Sequence, residues 1–135
     1  MAHNGFCIAL YNMCGWNQGD LMISDLMKSC DILCLQETWL SSHNVNCLDV
    51  MDDVKYIAVC DKANEYVSCG RPRGGLAILW NRKYNKFVHY IGSSGSNRTM
   101  STVISSEPFP ILLLNIYWPN YNNTDYIADI LLELG

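Results

Sequence analysis

Three polar residues lie at the ends of apolar segments, where they could form a functional site. The apolar runs 6–11, 32–35 and 110–117 predict strands, and near their ends stand Asn12, Glu37 and Tyr117. A carboxamide, a carboxylate and a phenol exchange hydrogen bonds, and the carboxylate adds a negative charge. Because loops that follow strands commonly carry functional side chains, the three residues are candidates for one site.

Each of the three residues also has an ordinary structural explanation. Glu37 can be an exposed charged residue at a strand end, as surface glutamates commonly are. Asn12 can stabilise the turn that follows it. Tyr117 can be a packed aromatic with its hydroxyl at the surface. Position alone leaves both interpretations open.

Length and composition predict one globular domain. The chain has 135 residues, of which 50% are apolar and 16% charged, so it can bury a core and is not disordered. No apolar run approaches the ~20 residues that span a membrane, so no membrane partner is expected. The N-terminus lacks a basic region followed by a long apolar core, so no signal peptide is predicted.

The cysteines indicate free thiols. They number seven, an odd count, and none has C-x-x-C spacing. Because free cysteines pack as small hydrophobes, a reducing compartment is the simpler interpretation. The three histidines form no ligand cluster with the cysteines, which argues against zinc.

The net charge of −4 argues against strong nonspecific nucleic-acid binding by the whole chain. Five of the nine basic residues nevertheless fall in one short segment: Arg71, Arg73, Arg82, Lys83 and Lys86. This segment is either a phosphate-facing patch or a hairpin with ordinary surface charge, and the sequence does not choose between them.

The positioning elements follow in the order strand, helix, strand, a run of strands, and helix. We predict helices over 20–29 and 125–134, and a loop with a short helix over 41–54. Further strands are predicted over 56–60, 99–104 and, as a hairpin, 76–80 with 87–91. This order predicts an α/β layer with a mostly consecutive sheet and helices on one face. The other face then needs a cover, so we expect the chain to be incomplete.

Five sequence motifs occur in one order along almost the whole chain, from about residue 6 to 134. They are "YNMCGW", "LCLQETWL", "RPRGGLAILW", Arg98 before a strand, and "LLNIYWPN". This series resembles the endonuclease/exonuclease/phosphatase superfamily, the DNase I-like proteins. The wording is most similar to the endonuclease domain of LINE-type (non-LTR) retrotransposons.

The resemblance implies the N-terminal half of a DNase I-like two-sheet α/β sandwich with helices outside. It implies hydrolysis of a phosphodiester in DNA by water, assisted by Mg²⁺ or Mn²⁺. Glu37 would hold the cation, Asn12 would position metal-bound groups beside it, and Tyr117 would face the scissile phosphate. By the same resemblance, Asn120 and Arg98 would contact the substrate. Gly74 and Gly75 are expected to shape the strand entry.

Two later family motifs, G-D-x-N and S-D-H, do not occur in residues 1–135. In the family they activate the water and engage the phosphate, and we expect neither His43 nor His89 to replace them. Catalytic groups act as a unit, so the fragment is expected to be inactive alone. Loss of one half would also bare a sheet face, which predicts poor solubility, self-association or docking of the missing C-terminal half.

Two alternatives remain open. The chain could be a non-catalytic interaction module or gene remnant that uses the open sheet face. It could also be a phosphatase or phospholipase, because the early motifs are shared across the superfamily. A DNA-directed enzyme with free cysteines predicts an intracellular location, in nucleus or cytoplasm.

Overall fold

The computed structural model describes residues 7–16, 19–61, 73–93 and 98–118. Within them the chain forms seven strands, one α-helix and two short 3₁₀ helices. The strands are β1 (Ile8–Asn12), β2 (Ile32–Gln36), β3 (Val54–Val59), β4 (Leu76–Asn81), β5 (Val88–Gly92), β6 (Thr99–Ile104) and β7 (Ile111–Ile116). The helices are α1 (Gly19–Ser29) and 3₁₀ turns over Val45–Val50 and Arg82–Tyr84.

Every predicted element in the described residues is present, with ends within about two residues of the prediction. The predicted helix over 125–134 lies outside the described residues.

The strands form two sheets. One has the order β1-β2-β4-β3, in which β1 and β2 are parallel and the other pairs antiparallel. The second is an antiparallel sheet with the order β5-β6-β7. Helix α1 makes the crossover that a parallel β1-β2 pair requires. The architecture is therefore a mixed α/β sandwich of two sheets.

The predicted hairpin of strands 76–80 and 87–91 is wrong, and so is the mostly consecutive sheet. β4 and β5 belong to different sheets, because the chain between them turns away through the 3₁₀ helix Arg82–Tyr84. The Asn81 side chain accepts a hydrogen bond from the Lys83 N–H at 3.1 Å, which starts the turn. The Arg82 N–H donates to the Asp53 carbonyl at 2.8 Å, which ties the turn to the end of the first sheet.

The inner faces of the two sheets pack against each other at their centres and form a hydrophobic core. The four-stranded sheet contributes Ile32, Cys34, Leu76, Ile78 and Trp80, and the three-stranded sheet contributes Val88, Met100 and Ile104. The expected bare inner face is therefore covered at its centre by strands of this chain. Among the described residues it is open at the β1 edge, where Ile8 is 40% and Leu10 64% exposed.

A second core lies on the outer face of the four-stranded sheet. Leu33, Leu35 and Leu79 point outward there and pack against Ile23 of α1 and Leu48 of the first 3₁₀ helix. This face carries α1 and the first 3₁₀ helix, as predicted for the helices. Leu21 of α1 points away from this core and is 75% exposed.

The cysteines in the described residues are free thiols, as predicted; Cys69 lies outside those residues. Cys34 is buried between the sheets, and burial, together with the nearby Cys30, raises the pKa of its thiol to about 11. A thiol of this kind stays protonated and acts as a small apolar side chain.

No α-helix in the described part of the chain is long and apolar enough to span a bilayer.

Candidate active site

The ends of β1 and β2 bring Asn12 and Glu37 together. The parallel register pairs Asn12 with Gln36, so both strands end at the same edge of the sheet. The loops that follow stay paired, since Met13 N–H donates to the Gln36 carbonyl at 2.8 Å and Gly15 N–H to the Glu37 carbonyl at 2.9 Å. Asn12 and Glu37 therefore lie on adjacent segments of the chain at one end of the sandwich.

Hydrogen bonds between the sheets bring the end of β7 to the same place. The buried Asn115 amide donates to the carbonyls of Leu35 at 3.0 Å and Ala77 at 3.1 Å. The Gln36 side chain donates to the Ile116 carbonyl. Because Tyr117 follows Ile116 directly, these bonds bring its backbone to the strand end that carries Glu37.

Arg98 lies beside Tyr117. Tyr117 N–H donates to the Arg98 carbonyl at 2.9 Å, and the Arg98 guanidinium lies 5.4 Å from the centre of the Tyr117 ring. This stacking keeps a permanent positive charge at the ring face. Asn120, the other predicted substrate contact, lies outside the described residues.

The Glu37 turn has a strained backbone that its neighbours hold in place. Glu37 has φ 55° and Trp39 has φ 58°, a region that non-glycine residues rarely occupy. Thr38 and Trp39 donate backbone hydrogen bonds to the carbonyls of Gly75 and Gly74, at 3.3 and 2.9 Å. An observed strain of this kind, fixed on both sides, is typical of functional turns.

Two glycines leave the space that this turn needs. An ideal Cβ on Gly15, which has φ +100°, would lie 2.4 Å from the Trp39 ring. One on Gly75, which has φ +91°, would lie 2.4 Å from the Thr38 hydroxyl oxygen. The Gly-Gly pair thus packs against the Glu37 turn at the entry to β4, the kind of role expected for it.

The Asn12 amide is oriented by its own loop. Its Oδ1 accepts hydrogen bonds from the backbone N–H of Cys14 at 3.1 Å and from the Cys14 thiol at 3.3 Å. With the carbonyl oxygen already used, the amide nitrogen is the group that Asn12 offers to a ligand. Such a group suits a phosphate oxygen better than a cation, and the role of positioning metal-bound groups stays a prediction.

The acidic groups fit only a weakly held hard cation. The described residues contain no group of three His, Cys, Asp or Glu side chains that could hold a metal. Glu37 is a half-buried carboxylate with one oxygen, Oε2, bonded to the Trp39 indole at 3.2 Å. Mg²⁺ commonly keeps several waters and uses one or two carboxylates plus substrate phosphate, so Glu37 fits as a single protein ligand.

The two described histidines lie in different parts of the fold. His89 lies on β5 and shares a hydrogen bond with Ser105 at 3.1 Å. His43 is exposed in the turn before the first 3₁₀ helix.

The basic segment is divided between the two ends of the sheet. β4 begins at Leu76 beside Gln36 and ends at Asn81, so Arg82, Lys83 and Lys86 lie at the end far from Glu37. The two lysines stack on the neighbouring rings Tyr84 and Phe87 at 5.0 and 5.2 Å. These three residues are ordinary surface charge. Arg73 alone among the described members lies near the site end; Arg71 is outside the described residues.

Sequence reasoning missed four residues that shape the site: Cys14, Gln36, Trp39 and Asn115. Trp39 and Cys14 hold the side chains of Glu37 and Asn12. One signal was available, since Asn115 is a lone polar residue within the apolar run 111–116. A polar residue at an inward position of a strand must find buried partners.

Comparison with known proteins supports the same fold. The model of the endonuclease/exonuclease/phosphatase family matches residues 9–134. No curated protein sequence gives a significant match.

Solved structures match over almost the whole chain. A 3′ phosphatase, NExo, from Neisseria bound to a product DNA hairpin has a TM-score of 0.65 at 17% identity, covering 96% of this chain and 50% of its own. The 3′-5′ exonuclease NExo from Neisseria meningitidis has a TM-score of 0.60 at 18% identity, covering 94% and 49%.

The endonuclease domain of TRAS1, a telomere-specific non-LTR retrotransposon, has a TM-score of 0.59 at 13% identity, covering 94% of this chain and 52% of its own. The chain thus spans about half the length of these structures. With this fold, and with a family match over 9–134, the chain belongs to the endonuclease/exonuclease/phosphatase family, the DNase I-like proteins.

Proposed function

We propose that the chain provides one part of a divalent-cation-dependent hydrolase that cleaves phosphodiesters in DNA, of the non-LTR retrotransposon endonuclease type. The family comprises metal-dependent phosphoester hydrolases. The observation that carries the proposal is the convergence of the ends of β1, β2 and β7, which brings Asn12, Glu37 and Tyr117 to one end of the sandwich. The DNA-bound and retrotransposon relatives support the choice of substrate.

Each residue has a role that its geometry supports. Glu37 uses Oε2 for the Trp39 indole and offers Oε1 to Mg²⁺ or Mn²⁺. A bound cation would supply polarisation of the phosphate and neutralise its charge. The Asn12 amide nitrogen donates to a phosphate oxygen, and the Tyr117 hydroxyl donates where negative charge develops. Arg98, stacked on Tyr117, adds a fixed positive charge for the substrate backbone.

We further propose that the 135-residue chain is inactive alone and that a C-terminal half of the same fold completes it. Hydrolysis also needs a group that activates water, and the two family motifs expected to supply it, G-D-x-N and S-D-H, do not occur in residues 1–135. The complement would join the β1–β7 groove, a cavity of about 260 Å³ lined by Ile8, Leu10, Cys34, Gln36, Leu113 and Leu114, among others. The half-length coverage of the relatives supports this occupant.

A phosphatase is the second candidate, because the first of the matching structures described above is a 3′ phosphatase. Such an enzyme removes a terminal phosphate, whereas an endonuclease cuts within a strand. The early motifs are the same in both, so substrate choice must be measured.

The first experiment is a plasmid-nicking assay with Mg²⁺, run beside release of phosphate from a 3′-phosphorylated oligonucleotide. Wild type and Glu37→Gln are compared, because this change removes the charge and keeps the size. We expect no turnover by the 135-residue chain in either assay. Glu37-dependent nicking would overturn the proposed inactivity, and Glu37-dependent phosphate release would favour the phosphatase. An equal rate in both proteins would indicate a contaminating nuclease.

Binding of Mn²⁺ to the chain tests the metal site without turnover. The electron paramagnetic resonance signal of free Mn²⁺ reports how much ion is bound. We expect Glu37→Gln to weaken binding by tenfold or more, because it removes the charge of the carboxylate proposed as the protein ligand. Equal binding by the two proteins would contradict the role of Glu37.

A further inference from the structure

We propose that Trp39 is a positioning residue that holds the Glu37 carboxylate in one orientation for the cation. The inference rests on the proposed function, since it takes Glu37 as the metal ligand. The indole Nε1–H donates to Glu37 Oε2 at 3.2 Å, which leaves Oε1 as the oxygen that faces a ligand. A neighbour that fixes a ligating side chain commonly changes metal affinity by 10–100-fold when it is removed.

The backbone places the indole where it can do this. Glu37 and Trp39 both have left-handed φ values, and this turn brings two side chains that are two residues apart to the same side. The hydrogen bond of 3.2 Å within this turn places the indole and the carboxylate in direct contact.

The ring itself is held from the other side by Gly15. A Cβ at this position would lie 2.4 Å from the Trp39 ring, so only the hydrogen of a glycine fits there. The Gly15 N–H donates at 2.9 Å to the Glu37 carbonyl, so one glycine contacts both members of the pair. The β1 loop thus packs the indole against the carboxylate and limits its rotation.

A single carboxylate ligand needs this support more than a cluster does. Where several acidic groups surround an ion, the loss of one orientation is offset by the others. The described residues supply no such group of three. The free energy of binding at this site therefore depends on how well one side chain is preorganised.

The test compares Mn²⁺ binding by wild type, Trp39→Phe and Glu37→Gln of the 135-residue chain. Phenylalanine keeps an aromatic ring and loses the N–H. We expect Trp39→Phe to bind Mn²⁺ about tenfold more weakly, by the free-ion resonance signal. Site-specific 3-benzothienylalanine at position 39, which keeps the bicyclic shape without the N–H, should bind as weakly as phenylalanine. If it binds like wild type, the hydrogen bond has no role and the inference is wrong.

Trp80→Phe is the matched control, because the Trp80 indole also donates to a side chain, Asn85 Oδ1 at 3.2 Å. That bond lies at the far end of β4, so the variant should lose stability and keep its Mn²⁺ affinity. Thermal unfolding checks that each variant is folded.

The outcomes separate the two proposals. If wild type binds Mn²⁺ no better than Glu37→Gln, the metal site itself fails, and the Trp39 inference with it. If Glu37→Gln weakens binding while Trp39→Phe stays within about twofold of wild type, only the Trp39 inference fails. Weakening by Trp80→Phe equal to that by Trp39→Phe would show a general loss of structure and would also overturn it.

Discussion

At the scale of single residues, Gly15 has the most stringent requirement in the site. Its φ of +100° and its contact with the Trp39 ring each exclude a side chain. We expect Gly15→Ala to lower the free energy of unfolding by about 2–4 kcal/mol, from backbone strain and displacement of the ring. Urea unfolding measures the loss.

Gly92→Ala is the control for this prediction, because an ideal Cβ there meets no atom within 4 Å. That variant carries a backbone effect without the clash, so its cost should be smaller. Equal costs would mean that the Trp39 contact contributes nothing to the stability of the turn.

The buried Cys34 thiol predicts how the free energy of unfolding depends on pH. Its thiol pKa is raised to about 11 in the fold against 9.0 as the ordinary value, so the folded state keeps the proton that the unfolded state loses. The stabilisation is present below pH 9 and is lost as pH rises towards 11, by roughly 2–3 kcal/mol. Cys34→Ala should flatten the decrease in unfolding free energy between pH 8 and 11. An unchanged slope would contradict the assignment.

At the scale of elements, the contact between β7 and the first sheet depends on Asn115. Its amide serves two carbonyls, those of Leu35 and Ala77, and its own Oδ1 has no hydrogen-bond partner among the described residues. Asn115→Leu should cost about 2–4 kcal/mol of unfolding free energy, because two buried acceptors lose their donor.

Leu114→Ala on the exposed side of β7 is the matched control for Asn115. Leu114 is part-exposed, so its truncation should cost less than about 1.5 kcal/mol. Chemical denaturation of both variants gives the comparison. If Asn115→Leu is as stable as wild type, burial of the leucine outweighs the hydrogen bonds between the sheets.

The elements themselves could be predicted from the sequence, but their partners could not. Apolar runs such as 32–35 and 99–104 predict strands because the local pattern repeats. The assignment of β4 and β5 to different sheets depends on the turn at Arg82–Tyr84 and its bond to Asp53, about 29 residues earlier in the chain. Alternation along a strand carries no information about such a distant partner.

The candidate site shows the same division. Asn12, Glu37 and Tyr117 stand out because each ends an apolar run, a local feature. Hydrogen bonds from Cys14 and Trp39 orient the Asn12 and Glu37 side chains. These bonds depend on left-handed φ values, which cannot be recognised from a residue type other than glycine. The family resemblance suggested the roles of these residues, whereas the geometry of the Glu37 turn could be seen only in the structure.

At the scale of the whole molecule, the exposed apolar side chains at the β1 edge predict association. Leu10 is 64% exposed on the same face of the sheet as the inter-sheet core, and β1 is an edge strand among the described strands. Edge strands with apolar side chains pair readily with other chains. We expect the chain to self-associate at micromolar concentration when no complement is present, as measured by sedimentation velocity.

Leu10→Lys should reduce this association, whereas Leu21→Lys should leave it nearly unchanged. Leu21 is even more exposed, at 75%, but lies on α1 rather than at the sheet edge. If both variants reduce association equally, general surface hydrophobicity is the cause. A monodisperse wild-type monomer would contradict the prediction altogether.

The hydrogen bonds of Asn115 also have a consequence for the order of events in folding. They join β7 to Leu35, 80 residues earlier in the chain, so the Glu37 strand end gains its final partners only after most of the sequence has been synthesised. Such distant contacts form slowly, because a long loop must close first. In a nascent chain β1 would pair with β2 early, while the end of β7 is still absent from the candidate site. The ends of β1, β2 and β7 are therefore expected to converge late in folding, after β7 has joined Leu35.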